Sequence, residues 1–389
     1  MSEIVIGKPS LQSANGLCRM TTKINQDGRI FPVFIEVEDK WSRYLTPERA
    51  DAFVYLVLPV ALRKGYNIRT KVPVTEMMLN KINKILIPNL VKGDDRLSLI
   101  QIYAPSENEL IGGTRCGTAV SLGVDSTYTI MKYNDGKNTP MSIDTLFITS
   151  NNAELWSEIS STDDLYSWKE KKLSMFARYE AFAKECNLPL VIAFSNYHKY
   201  VCVFNKIKHV MTHNYTTMAH VLSLKKLWKS YFFAATDGGL FVFDLMNNSV
   251  KDTCHHELLS MFVLTTPDFS CFSGGDVESR IEKTLKLTEY PLARKFLHPC
   301  FKSMEKNCSR ASCKKCNRAL LTLDYYGKLD SMSDIYDIDY YKSHKVEFLE
   351  ALVQNKDKKL YAELYTMYKK RFPDKIQIIE TTQIKQPED

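Results

Sequence analysis

The stretch GTAVSLGVDS, residues 117–126, decides how this chain is read. A short apolar strand (Thr118, Ala119, Val120) runs into Ser121, Gly123, Asp125 and Ser126, and a helix-like segment follows. In open α/β sheets ligands bind beyond the carboxyl ends of strands, where the next helix presents unpaired N–H groups. Small residues there let the backbone approach a phosphate, and hydroxyls add donors. The pattern G-x-x-x-x-G-K-[ST] is absent, so this is not a Walker loop. It is not the dinucleotide fingerprint either, because Gly112-Gly113 precedes the strand. Two readings stand: a phosphate grip, or an ordinary strand-to-helix turn.

Working outward, residues 117–285 alternate. Strand-like DTLFITS (144–150), LPLVIAFSN (188–196) and YFFAAT (231–236) are separated by the amphipathic stretch 168–187 and by TTMAHVLSLKKLWKS (216–230). Such alternation predicts a parallel sheet with helices on its faces. Residues 1–110 mix strands (29–38 and 97–104) with helices (46–64 and 74–90), which predicts an N-terminal α+β unit. The glycines of ENELIGGTRCG (107–117) read as a linker. The expected organisation is 1–110, 111–297, a four-cysteine module at 298–330, and a helical, tyrosine-rich segment with a polar tail at 331–389.

Length and composition bound the class. The chain has 389 residues, 44% hydrophobic and 25% charged, as for a globular protein with a sizeable core. The strongly apolar run FVYLVLPVAL (53–62) contains a proline and is too short to span a bilayer. The N-terminus lacks the basic start and apolar stretch of a secretory signal. A cytoplasmic protein with no membrane contact is expected, its ten cysteines serving as thiols or metal ligands.

Four of the ten crowd together as C-x7-C-x4-C-x2-C: Cys300, Cys308, Cys313 and Cys316. The terminal C-x2-C supplies one zinc knuckle, and four thiolates around Zn²⁺ carry a net charge of −2. Segment 294–318 holds eight Lys and Arg against Glu305 alone. Those cations offset the thiolates or face phosphates and nucleic acid.

The hexapeptide 121–126 resembles the S-G-G-x-D-S signature of the PP-loop ATP pyrophosphatase superfamily. That resemblance implies a HUP-type, adenine nucleotide alpha hydrolase-like α/β domain binding ATP and Mg²⁺. Its members cleave between the α and β phosphates, adenylate a carbonyl or carboxylate oxygen, and let a nitrogen or sulfur nucleophile displace AMP. By position, Ser121, Gly123 and Ser126 would contact pyrophosphate, with Leu122 and Val124 in the loop, and Asp125 would support the loop or the magnesium. Leu122 stands where the signature has glycine. The adenine would lie against the second and third strands near Ser150 and Ser195.

The pairing of this loop with four later cysteines resembles the 7-cyano-7-deazaguanine synthase family, over roughly 117–330. CKKCNRALLTLDYYGKLD (313–330) matches its ending, including Arg318, and SRIEKTLKL (279–287) its lysine-bearing helix start. The resemblance implies Lys283 as a phosphate contact, Arg280 more weakly, and a catalytic set of Asp125, Ser126 and Lys283. The acceptor would be a small molecule or a protein amine, and a partner protein could dock through the N-terminal unit.

Other residues carry weaker signals. Cys116 or Cys271 would be the carrier in a sulfur transferase of the same fold. A nucleic-acid-binding protein with a degenerate loop is a third reading. Cys254, His255, His256 and Glu257 suggest a metal site, although adjacent histidines point apart. Asn196 and His198 follow a strand end. His213 and His220 share a face only if one helix covers both, against which Asn214-Tyr215 argues. Asp237-Gly238-Gly239 reads as a loop at the same sheet edge.

Overall fold

Side-chain alternation drives strand formation in the first third of the chain. From Met20 to Gln26 every second residue is buried, the period of a strand covered on one face. Two-residue loops join this strand to its neighbours. Asn15-Gly16 and Asp27-Gly28 all take positive φ, the tight hairpin geometry that matches strand twist. The computed structural model describes residues 2–137, 139–150, 164–236, 239–246, 252–300, 302–303 and 306–384.

Among these the strands are β1 (Glu3–Ile6), β2 (Ser10–Ala14), β3 (Leu17–Gln26), β4 (Arg29–Glu38), β5 (Asn67–Thr70), β6 (Val74–Thr75), β7 (Ile102–Tyr103), β8 (Ser106–Glu107), β9 (Arg115–Ala119), β10 (Thr145–Thr149), β11 (Leu190–Ser195), β12 (Trp228–Ala234) and β13 (Ser270–Gly274). One eleven-stranded sheet runs β13-β12-β9-β10-β11-β4-β3-β1-β5-β7, with β2 on β3; β6 and β8 pair separately. Most of its pairings are parallel, and the architecture is α/β.

Strands β13, β12, β9, β10 and β11 form a wholly parallel half. The first of them in sequence, β9, is central. The next two build outward on one side and the last two on the other, so the order reverses between β9 and β12. Such a reversal opens a crevice at the carboxyl ends of the strands.

The boundary expected near residue 110 lies inside a shared core. β11 pairs antiparallel with β4, Ala193 opposite Val37 and Ser195 opposite Ile35. The helix Asp51–Lys64 is apolar on every side and packs on the helix His213–Ser223. Between them Tyr55 donates to Asn214 Oδ1 at 3.1 Å and its ring tilts against Tyr215. The linker glycines are clamped. A Cβ on Gly112 would lie 2.0 Å from the Asp268 carbonyl oxygen, and one on Gly113 2.3 Å from the Leu227 backbone. Asp268 also accepts the amides of Ile111 and Gly112, both at 2.9 Å.

A second core sits over the carboxyl end of β9. The helices Lys314–Tyr325, Lys345–Gln354, Lys359–Arg371 and Pro373–Ile384 bury Leu320, Phe348, Leu352 and Tyr368 there. This cluster includes Cys300, Cys313 and Cys316 and reaches Val124, Tyr128 and Ile281. No helix among the described residues is long and apolar enough to cross a membrane.

Candidate functional site

The loop after β9 begins where the Val120 amide donates to the Phe147 carbonyl at 2.9 Å, tying it to β10. Leu122 then takes φ +55°, the left-handed region that costs a residue with a Cβ about 1–2 kcal/mol. Its side chain is buried with Val120, Ile130 and Phe296, and its carbonyl accepts the His298 amide at 2.7 Å. Leu122 thus keeps a glycine-like backbone and turns its bulk into the core.

Gly123 precedes the helix Val124–Tyr133, whose first N–H groups have no carbonyl ahead of them. Ser121 and Ser126 shape the turn. Their hydroxyls lie 2.8 Å apart, Ser126 Oγ accepts the Ser121 amide at 3.2 Å, and Ser121 Oγ accepts that of Gly123 at 3.3 Å.

Charge is fixed beside this loop by a second helix, Arg280–Leu287. Ser279 caps it, accepting the Glu282 amide while Glu282 accepts the Ser279 amide at 2.7 Å. The cap sets Arg280 and Lys283 one turn apart on a single face. Arg280 Nη2 donates to Asp125 at 2.6 Å. The fully buried Lys283 donates to the Ala235 carbonyl at 2.7 Å and lies 3.5 Å from Asp125. Beneath them Glu257 accepts from Ser273 Oγ at 3.1 Å. Burial, opposed by Ser273 and Lys283, pushes its carboxyl up to about 8.

At the switch point these residues open into a cavity of about 330 Å³, within the range of small-ligand sites. Ser121, Gly123, Asp125 and Ser126 form one wall. Arg280, Pro299, Lys315, His209, His213 and Phe233 also line the cavity. Burial, with His213 nearby, pushes His209 down to about 4, so its ring is neutral near pH 7. His213 hydrogen-bonds Asp252 at 2.9 Å. Burial would raise the Asp252 carboxyl, but that bond and the Cys254 amide hold it at about 2. The cavity therefore offers hydroxyls, a helix N-terminus and cationic heads, a chemistry suited to an anion.

The four cysteines converge, all four sulfurs lying within 4.8 Å of one another. Cys300 and Cys313 are 3.9 Å apart, and Cys308 and Cys316 3.8 Å. A Zn–S bond near 2.3 Å gives a tetrahedral edge of about 3.8 Å, so the donor set fits a metal ion such as zinc. The site abuts the cavity, because His298 anchors to Leu122 and Pro299 lines the wall.

Other expected residues fall elsewhere. Ser150 and Ser195 are fully buried rather than on the cavity wall. Ser150 Oγ accepts the Ser195 amide at 3.0 Å and lies 3.3 Å from His220 Nε2; Phe147 and Thr149 face the cavity instead. Lys283 sits beneath the wall and Arg280 on it, the reverse of their expected ranking, because Ala235 and Asp125 occupy the lysine head. Arg318 donates to the Lys314 carbonyl at 3.2 Å and lies over Tyr361.

Cys116 and Cys271 are buried thiols, and burial raises both, Cys116 to about 11. One helix does cover His213 and His220, yet only His213 reaches the cavity. His255 faces the Val242 carbonyl and His256 the Tyr215 hydroxyl, so that pair points apart as expected. Asn196 braces β4 through Phe34 and Pro32, and His198 is buried. Asp237 and Gly238 lie outside the described residues.

His209, Thr217 and Tyr231 also line the site and carry no sequence signal of their own, while Lys315 stands out in the sequence only as one of the basic residues of 294–318. Folding brings them there from separate segments. No family model, curated protein or solved structure matches this chain.

Proposed function

We propose that the chain is an ATP-dependent, AMP-forming enzyme of the PP-loop class carrying a structural zinc site, similar to the 7-cyano-7-deazaguanine synthase family. One observation carries the reading. The Ser121–Ser126 loop opens a helix at the switch point of a parallel sheet, with a glycine-like backbone at Leu122 and the Arg280 and Lys315 side chains on the wall.

The nucleotide phosphates lie on the hydroxyls and amides of 121–126, with Arg280 and Lys315 as counter-charges. Asp125, held between Arg280 and Lys283, fixes the position of that arginine. Magnesium bound with the nucleotide would supply neutralisation of the leaving pyrophosphate.

A carboxylate or amide oxygen of the acceptor attacks the α-phosphorus. The bond from that phosphorus to the bridging oxygen breaks, and pyrophosphate leaves with the electron pair. A nitrogen nucleophile then adds to the activated carbon, the carbon–oxygen bond to AMP breaks, and the nitrogen gives up a proton. The four thiols fill all positions around zinc, which leaves the metal a structural role. A sulfur-carrier chemistry is not favoured, since Cys116 and Cys271 are buried and protonated.

Incubation with α-labelled ATP and candidate acids tests the reading. AMP is the expected product, lost about 100-fold in Ser126→Ala and kept in Cys116→Ser. ADP as the product overturns it.

A further inference from the structure

The charge of this protein is concentrated in one place. The formal net charge is +7, and segment 294–318 holds eight Lys and Arg against one Glu, so the surplus of those 25 residues equals that of the whole chain. Outside it, acids and bases balance one for one. A bound zinc tetrathiolate would remove two of these charges and leave a large excess.

The cysteines gather the cations. Lys302, Lys306, Arg310 and Lys314 each stand within two residues of a sulfur ligand, and the sulfurs lie within 4.8 Å of one another. Two residues of chain span about 7 Å at most, so the four cationic residues lie close to the cluster and form a basic patch beside it. All four are exposed. Lys302 touches Ser312 Oγ at 3.1 Å, and Arg310 lies 3.7 Å over the Tyr340 ring. No described carboxylate ion-pairs with any of the four. The neighbouring lysines differ: Lys295 pairs with Glu185, and Lys345 with Asp324 at 2.6 Å. Cations that serve solubility are commonly interspersed with acids; an unpaired basic patch attracts a polyanion.

We propose that this basic patch binds the backbone of a single-stranded nucleic acid beside the cavity. Lys315, which follows Lys314, already lines that cavity. The Arg310 guanidinium is planar, packed on Tyr340, which in turn stacks on His344 at 3.9 Å. Its outer face suits an unstacked base, which a duplex does not present. A membrane surface is disfavoured, because among the described residues no large hydrophobic side chain is exposed between Val277 and Tyr326.

The test is fluorescence anisotropy of a labelled 20-nucleotide mixed-sequence oligonucleotide, as DNA and as RNA, with the full chain in its metal-bound form and no ATP. Four phosphate contacts on a single strand give a log–log salt slope near −2.8, so affinity falls about 50-fold between 50 and 200 mM salt. Replacing Lys302, Lys306, Arg310 and Lys314 together by Gln should weaken binding at least tenfold and flatten the slope, with metal content unchanged.

A wild-type slope flatter than −1 overturns the inference whether or not the variant folds. So does equal affinity of the variant, tighter binding of the matching duplex, or preferential capture by phosphatidylserine vesicles at the same salt. Because ATP is absent, failure here is distinct from failure of the AMP-forming reading.

Discussion

The two loops that meet at the cavity are held by opposite means. Residues 120–126 are short and fastened at both ends, by β9 and by the helix that follows, with serine hydroxyls closing the turn. Residues 297–313 form no helix or strand among the described residues. Their ties include the His298 amide on the Leu122 carbonyl, Asn307, which donates to the Leu297 and Ile335 carbonyls at 3.0 and 3.2 Å, Ser309 Oγ, which accepts the Asp337 amide at 2.9 Å, and the four thiols. The first loop inherits its shape from the sheet. The second needs a cross-link, because its backbone makes few bonds of its own.

That contrast can be broken at its weaker side first. Cys313→Ser, or a strong chelator, should remove the metal and with it on the order of 10 kcal/mol of binding free energy that holds this loop. The fall in metal content should coincide with loss of hydrogen-exchange protection in helix Lys314–Tyr325, while β9–β11 stay protected. Equal loss across the sheet would mean that the two loops do not differ in this way.

Lys283→Met tests the charge pair behind the stronger loop. It strips a buried donor from Ala235 and a cation from Asp125, so about 3–5 kcal/mol should be lost in denaturant unfolding. Arg280→Gln, nearer solvent, should cost less.

Leu122→Gly sharpens the comparison further. It releases about 1–2 kcal/mol of left-handed strain but removes a buried leucine worth about 2–5 kcal/mol. A net loss near ~2 kcal/mol in the same assay is expected, with ATP binding retained. A net gain would show that the core contact is dispensable.

The last test is in pH. Glu257 ordinarily ionises near 4.5 and is held at about 8 in the folded protein, so the native state keeps a proton that the unfolded chain gives up. Its contribution to stability is full below about 4.5 and lost as pH rises towards 8. Glu257→Gln should flatten the decline in stability measured by urea titrations from pH 5 to 8.

Parts of this were legible in the sequence. β4, β10 and β11 fall where apolar runs place them, since each is long and bounded by turn residues. The alternation of strand and helix also gives the parallel half. Three things were not legible, for physical reasons. Gly112-Gly113 reads as a linker because composition cannot tell a hinge from a close backbone contact. The fifth parallel strand, SCFSG, is too small and polar to stand out. The hairpin signals Asn15-Gly16 and Asp27-Gly28 were present but flanked strands carrying Lys, Arg and Thr on the open face. At the site, loop and cysteines are local motifs and so are readable. His209 and Tyr231 arrive by tertiary placement, and Ser150 and Ser195 turn out to brace each other.

The antiparallel join of β4 to β11 bears on how the molecule is made. Glu36 waits for Phe194, some 160 residues later, and at about 5–20 residues per second that is roughly 8–30 s of synthesis. Throughout that interval β4 offers an unpaired edge to any passing strand. The same holds in reverse for a fragment starting near residue 111, which would present β11 bare. Expression of residues 111–389 alone should therefore yield aggregates, rescued by supplying residues 1–110 in trans.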